Sequence, residues 1–299
     1  MAIYSIRDLE KLTGIKAHTI RIWEQRYGLI TPARTETNIR YYTDENLRLL
    51  FNIALLNRNG LKISKLALMK PEDIAAKGAE LTKNKNSVNS QIEALTLSMI
   101  DLDESAFENV FTGYVASYGF ETTMVSLIYP FLDKLRILWL TSSINPAQEK
   151  FIGQLIRRKL MSTIDRLPPI AAKKGVEKIV LYSPEGESQE LALLFVQYLI
   201  RARQIQAVYL GANVGLNDLR EACHMLHPEY VLTILQDPIP RQSIQQYVDH
   251  AAQSIGNGQL LLTGAQLFVG PITLPANAMI INGLGETLQF LDGLRLKHR

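Results

Sequence analysis

Beyond Leu167-Pro168-Pro169 the sequence changes rhythm, and that change constrains the fold more than any other feature. Five short apolar runs follow: Lys178 to Tyr182, Ala207 to Leu210, Tyr230 to Leu235, Leu260 to Thr263 and Ala278 to Ile281. Stretches with helical periodicity separate the first four of them, at 187–203, 216–226 and 239–255. Continuous apolar runs of this length suit strands buried on both faces, and their alternation with helices predicts a parallel sheet covered on both sides. Five strands fit a flavodoxin-like (Rossmann-like) α/β sandwich over residues 175–299. Ligands of such sheets sit outside the strand C-terminal ends. Gly211 and Gly264, after the second and fourth runs, suit a backbone-lined crevice there, and equally a tight strand-to-helix turn.

The preceding residues lack this rhythm. Residues 91–167 read as helices with brief interruptions at Asp101 to Ser105 and Ser142 to Pro146, which predicts a four-helix bundle over 91–168. Asp101, Asp103 and Glu104 read as a turn and a helix start. The polar run 82–90, Thr-Lys-Asn-Lys-Asn-Ser-Val-Asn-Ser, sits within a linker assigned to 76–90. A first domain then occupies 1–75.

Charge singles out that first domain. Residues 1–70 hold twelve Lys and Arg against six Asp and Glu, whereas the remainder holds twenty against twenty-three. Non-specific affinity for DNA comes from phosphate contacts and needs such an excess. Chance clustering on a solvated face is the plain alternative. No apolar run approaches the roughly 18 residues of a membrane span, and the start lacks a signal stretch. The single cysteine, Cys223, excludes a disulfide scaffold within one chain. Together these predict a cytoplasmic protein without a membrane partner.

The local pattern names the module. Ser5-Ile-Arg-Asp8 forms a possible capping box, and Leu9 and Leu12 give the helix an apolar face. Gly14 permits a sharp turn into a second helix near Ala17 to Gln25, closed by Gly28. Pro32, Thr35, Thr37 and Asn38 precede the β-prone run Ile39 to Tyr42, which predicts a hairpin or wing. Thr43, Asp44 and Glu45 start a helix to Asn57 on the repeat Leu47, Leu50, Ile53, Ala54. A further short helix is expected to end at Pro71. Thr19, Arg21, Trp23, Arg26 and Tyr27 lie on a helix that fits a major groove about 12 Å wide. Arginine can pair with guanine O6 and N7 or clamp phosphate, and tyrosine can bond phosphate while its ring packs. Arg34, Asn38, Arg40 and Tyr41 occupy the wing, where phosphate or minor-groove contact is expected. Trp23 has the bulk to pack between helices instead. Ile20 and Ile22 read as packing residues, and His18 as an ordinary exposed histidine.

Thr19 to Leu29, Thr-Ile-Arg-Ile-Trp-Glu-Gln-Arg-Tyr-Gly-Leu, followed by Ile39-Arg-Tyr-Tyr42, resembles the MerR family of winged-helix regulators. The pattern spans about 70 residues at fixed spacings. The resemblance implies a homodimer or tetramer on palindromic promoter DNA, with Arg21, Trp23, Arg26, Tyr27, Arg40 and Tyr41 at DNA-contacting or supporting positions. Metal-sensing relatives need several cysteines, and Cys223 alone cannot build a thiolate site.

The order of winged helix, bundle and five-strand α/β domain is similar to the CarH/LitR light-sensing subgroup, whose C-terminal half binds adenosylcobalamin. Two motifs of that subgroup are altered here. Members carry a Trp followed ten and eleven residues later by Glu and His, over the cofactor's upper face. This chain has Trp139, Glu149 and, in place of His, Lys150. Members also carry Asp-x-His-x-x-Gly after the first strand, the His ligating cobalt. Here Glu187 fits the acidic position, but Gln189 replaces the histidine and Ala192 the glycine. A carboxamide is a far poorer donor to a transition metal than neutral imidazole. His224 and His227 share a helix face without a third ligand nearby, and His250 and His298 stand elsewhere. No cofactor and no metal site are therefore predicted. The α/β half reads as a sensor or assembly domain that has lost cobalt ligation. Base-off corrinoid, another small molecule, a regulatory protein or nothing remain as its occupants.

These readings predict a DNA-binding regulator without enzymatic activity, and the light-sensing resemblance favours repression. Two alternatives stand beside it. A cobalamin carrier or enzyme module needs the absent histidine. A protein-binding antirepressor leaves the basic N-terminal module unexplained.

Overall fold

Ser5 starts the first helix by a reciprocal exchange. Its hydroxyl accepts from the Asp8 amide at 3.3 Å, and the Asp8 carboxylate accepts from the Ser5 amide at 2.8 Å. The helix it caps, α1 (Ile6–Thr13), ends at Gly14 in the left-handed conformation. The computed structural model describes residues 3–34, 38–58, 60–84, 88–140, 144–170, 177–186, 190–239 and 242–297. The chain divides into two units, Met1–Gln154 and Leu155–Arg299.

In the first unit, α2 (Ala17–Tyr27) follows α1 across the Gly14 turn and also ends on a left-handed glycine, Gly28. Strands β2 (Ala33–Arg34) and β3 (Arg40–Thr43) make the expected wing. A third strand, β1 (Ile3–Tyr4), which the sequence reading did not anticipate, completes an antiparallel sheet in the order β1-β3-β2. Helix α3 (Asp44–Arg58) begins where β3 ends, with two acidic residues in its first turn. Leu9, Leu12, Ile20, Tyr42, Leu47, Leu50 and Phe51 form the module's buried core.

A short helix α4 (Ile63–Leu66) leads into α5 (Pro71–Asn84). Pro71 therefore begins a helix rather than ending one. Its missing N–H falls at a first-turn position that has no intrahelical acceptor, and Glu72 and Asp73 complement the helix dipole. The stretch read as a linker is helical up to Asn84 and again from Val88, where α6 (Val88–Ile100) starts. Residues 85–87 lie outside the described residues. Ile74 is buried, and Gly78 lies so close to Asn52 of α3 that a Cβ would come within 2.3 Å of its side-chain oxygen.

Three helical rods follow in this unit, α6, α7 (Glu104–Tyr118) and a composite rod, and then α10 (Pro146–Asp165), within which the division between the units falls. The composite rod joins α8 (Phe120–Thr123) to α9 (Tyr129–Leu140) through a π-helical turn at Met124–Ile128. Pro130 explains the turn: it has no N–H to give, and the Tyr129 amide reaches back five residues to the Met124 carbonyl. As expected, Asp103 caps α7, accepting from the Ala106 amide at 3.0 Å. Phe107, Phe111, Leu127, Ile128, Phe131 and Leu135 fill the space between rods.

The second unit holds a parallel sheet of β4 (Lys178–Pro184), β5 (Gln206–Val214), β6 (Tyr230–Ile234), β7 (Gln259–Thr263) and β8 (Ala278–Ile280). Their order is β5-β4-β6-β7-β8, the doubly wound arrangement that the alternation predicted. Helices α12 (Leu216–Leu226) and α13 (Ile244–Ser254) pack on the face that carries Val180, Tyr182, Val231 and Leu260. Helix α11 (Glu190–Ala202) covers the other face beside α14 (Gly283–Lys297). Gly211 falls inside β5 at a shift of register, not beyond the strand as the sequence suggested.

Candidate nucleic-acid interface

The second helix of the N-terminal module, α2, is held at both ends and along one side. Its N-terminus has no side-chain cap of its own, and Glu10 of α1 supplies one across the turn. One Glu10 oxygen accepts from the Ala17 amide at 3.2 Å and the other meets the Lys16 ammonium at 3.1 Å. The Lys16 contact first and the Ala17 amide second hold the Glu10 carboxyl below its usual range. Ile20 is fully buried, and Trp23 is only 7 % exposed. Of the two expectations for Trp23, DNA contact and packing between helices, its burial matches packing: its position on α2 turns the indole into the core with Ile20.

The opposite side of α2 is open. His18, Arg21, Gln25 and Arg26 are exposed, and Thr19 and Tyr27 are half-buried. Ile22 is 47 % exposed on this same face, which corrects its assignment to packing. Thr19 Oγ1 lies 3.4 Å from a His18 ring nitrogen, and the Arg26 guanidinium stands 5.6 Å from the centre of the Tyr27 ring.

Glu24 fixes the wing to this helix, a role the sequence reading missed. Its carboxylate accepts from the buried Tyr42 hydroxyl at 3.3 Å and pairs with Arg40 at 3.3 Å. Burial first and the Glu24 charge second push the Tyr42 hydroxyl's pKa upward. The spacing of a helix acid to a strand arginine sixteen residues on leaves no periodic signal. Within the wing, Arg34 stands directly across from Arg40, and Ala33 across from the half-buried Tyr41. Like charges in such a pair repel. Arg34 donates to the Asn38 side-chain oxygen at 2.6 Å, and Asn38 holds a left-handed backbone at φ 65°. The two adjacent, exposed guanidiniums thus each have a partner within the module, Glu24 for Arg40 and Asn38 for Arg34, and both still face solvent, where an anion can reach them. Thr35 and Thr37 lie outside the described residues.

The residues expected near a cofactor are not brought into one described site. Glu149 and Lys150 are exposed on α10. The Trp139 side chain, Glu187 and Gln189 lie outside the described residues. Among described residues, His18, His224, His227 and His250 are all exposed, and none stands at the end of β4. No group of three or more His, Cys, Asp or Glu among them is placed to hold a metal. The cobalt chemistry of the light-sensing subgroup asks for an imidazole donor beyond the first strand, and this chain's donor set does not fit it. Cys223 is buried, which pushes its thiol up to about 11, so it is a poor thiolate donor.

Two helices across a glycine turn, a wing and an exposed cationic helix face define a winged helix-turn-helix DNA-binding module. Residues 4–72 match the family described as MerR HTH family regulatory protein, and the chain carries a MerR-type DNA-binding domain. Over 235 residues it is 26% identical to the HTH-type transcriptional repressor CarH of Myxococcus xanthus, covering 76% of this chain and 77% of that protein. It is likewise 26% identical over 228 residues to the repressor CarA of the same organism, covering 76% of this chain and 74% of CarA. A monomethylamine corrinoid protein of Methanosarcina barkeri shares the fold, with a TM-score of 0.54 and 13% identity over 70% of this chain and all of that one. Among described residues, no helix is long and apolar enough to cross a membrane.

Proposed function

We propose that this chain is a sequence-specific DNA-binding transcriptional regulator, acting as a repressor, with no catalytic step of its own. The observation that carries the reading is the open face of α2, where Arg21, Ile22, Gln25 and Arg26 are exposed beside the paired wing arginines. Arg21 reads base edges, while Arg34, Arg40 and Tyr41 hold phosphates. Binding over a promoter blocks polymerase. The chain works as a homodimer or higher assembly that sets two copies of α2 on a palindromic site. Its α/β unit keeps the fold of a sensor but serves assembly, because its donor set does not fit cobalt.

The test is a mobility-shift titration against DNA fragments selected from random sequence by the purified protein. Arg21→Ala is expected to lose about 1–3 kcal/mol of site-specific binding and to relax the preference at one base pair. Full operator affinity in that variant would remove Arg21 from the reading surface. Binding that neither discriminates sequence nor weakens with salt would sink the proposal as a whole.

A further inference from the structure

Open parallel sheets bind ligands beyond the strand C-terminal ends, at the point where strand order reverses. Here that point lies between β4 and β6. The structure shows what fills it. Tyr182, near the end of β4, is in register with Thr233 of β6 and fully buried. Its hydroxyl lies 2.8 Å from that of Tyr247, which α13 brings in from the α12–α13 face. Leu235, Leu262 and Leu267 belong to the same buried core cluster as the pair.

The neighbouring strand ends are drawn together above this plug. Gly264 follows β7 at φ 124°, and a Cβ there would come within 2.2 Å of the Leu235 carbonyl oxygen. The space beside that glycine is taken by the chain's own backbone. A clasp holds the approach: the Gln266 amide donates to the Leu235 carbonyl at 3.0 Å. The Ala265 amide donates to the Gln236 side chain, and the Gln266 side chain to the Gln236 carbonyl, each at 3.2 Å. On the opposite face, Glu190 opens α11 just beyond the β4 loop. Its carboxylate is taken up by Arg157 of α10 and by the Tyr209 hydroxyl of β5 at 2.9 Å. Ser183 and Thr233 are both fully enclosed and lie on opposite faces of the sheet. Neither is open to a ligand.

We infer that the α/β unit is self-filled: Tyr182, Tyr247 and the Gln236–Gln266 clasp close the switch-point crevice, and the unit takes no corrinoid there. This deepens the proposed function, on which its regulatory meaning rests. On that reading, DNA binding does not wait for a small molecule to load the unit.

Two measurements on the full-length protein test the closure without DNA. In the first, hydroxocobalamin or adenosylcobalamin is added in the dark and the mixture is desalted. The visible corrinoid bands are expected in the small-molecule fraction, and the melting temperature is expected not to move, since a ligand of the folded state would raise it. Stoichiometric corrinoid in the protein fraction overturns the inference. In the second, hydrogen exchange is followed on the ligand-free protein. The amides of Leu235, Gln266 and Leu267 are expected to exchange as slowly as strand amides. Exchange at the rate of exposed loops would mean an open crevice and overturn it. A separate promoter titration with and without corrinoid is expected to give midpoints within about two-fold. A failure to shift DNA at all in that titration strikes the regulator reading and leaves the closed crevice standing.

Discussion

Two neighbouring side chains on α2 divide the labour of the interface. Trp23 is enclosed and Ile22 is open, although both are apolar and adjacent in sequence. Trp23→Ala removes a buried aromatic, with an expected cost of roughly 3–5 kcal/mol, enough to unfold the N-terminal module. Ile22→Ala changes a solvent-facing position and should leave stability within about 0.5 kcal/mol. It should instead weaken DNA binding by roughly 1–2 kcal/mol, because an exposed aliphatic on a groove-reading helix matches a thymine methyl. Thermal melts and mobility shifts on both variants separate the roles. Equal DNA affinity for Ile22→Ala and the parent chain would put Ile22 outside the interface. The sequence pattern exposed the module through its arginines, glycines and β-prone wing. It did not divide Trp23 from Ile22, because the turn of α2 that buries one residue and opens the next depends on what α1 packs against. Nor did it reveal Glu24, whose partners Arg40 and Tyr42 come close only once the wing folds back.

Elements were legible where periodicity and burial agree. The five strands of the α/β unit are apolar on both faces and stood out as runs, and α3 showed its start and its repeat. Elements were misread where a boundary residue can serve either end of a helix, as at Pro71, which begins α5. Helix α5 is polar on its solvent side, but Ile74 and Gly78 place it against α3. Strand β1 spans two residues, too few for an alternating pattern, and exists because Ile3 and Tyr4 pair with Thr43 and Tyr42. The crevice was less legible still, since Tyr182 and Tyr247 stand 65 residues apart. Burial raises both phenols well above the ordinary tyrosine range, so the pair is a neutral hydroxyl chain and not a proton donor at physiological pH. Tyr247→Phe removes one member of that chain and takes away the Tyr182 hydroxyl's 2.8 Å partner, leaving Thr233 beside it. The expected loss is roughly 1–3 kcal/mol in denaturant unfolding. Gly264→Ala should cost roughly 1–3 kcal/mol by forcing β7 away from Leu235, before any strain from its positive φ. An unchanged midpoint in either variant would mean that the strand ends are not held as described.

At the scale of the whole molecule, the charge imbalance becomes a measurable property. Four exposed arginines of the basic residues 1–70, Arg21, Arg26, Arg34 and Arg40, lie on α2 and the wing, and Arg7 of α1 and Arg48 of α3 are exposed as well. The proposed homodimer would double that set and space its two recognition helices to half-sites about 34–36 Å apart. Each neutralised phosphate releases condensed counterions, so the logarithm of the binding constant should fall linearly with that of salt concentration, by about 0.9 per contact. A dimer making roughly 6–10 phosphate contacts should lose about 10³–10⁵ in affinity between 50 and 200 mM salt. Arg34→Ala should flatten this slope by about one contact in each bound protomer and weaken all sequences alike, as the phosphate role proposed for the wing requires. Arg21→Ala should instead change which sequences bind, with the slope altered less. Sedimentation of the complex fixes the stoichiometry, and fluorescence-anisotropy titrations at four or five salt concentrations give the slope. A slope unaffected by Arg34→Ala would move the wing off the DNA. A single protomer on the selected site would replace the two-helix geometry with a monomeric one, and the palindrome would then lose its physical reason.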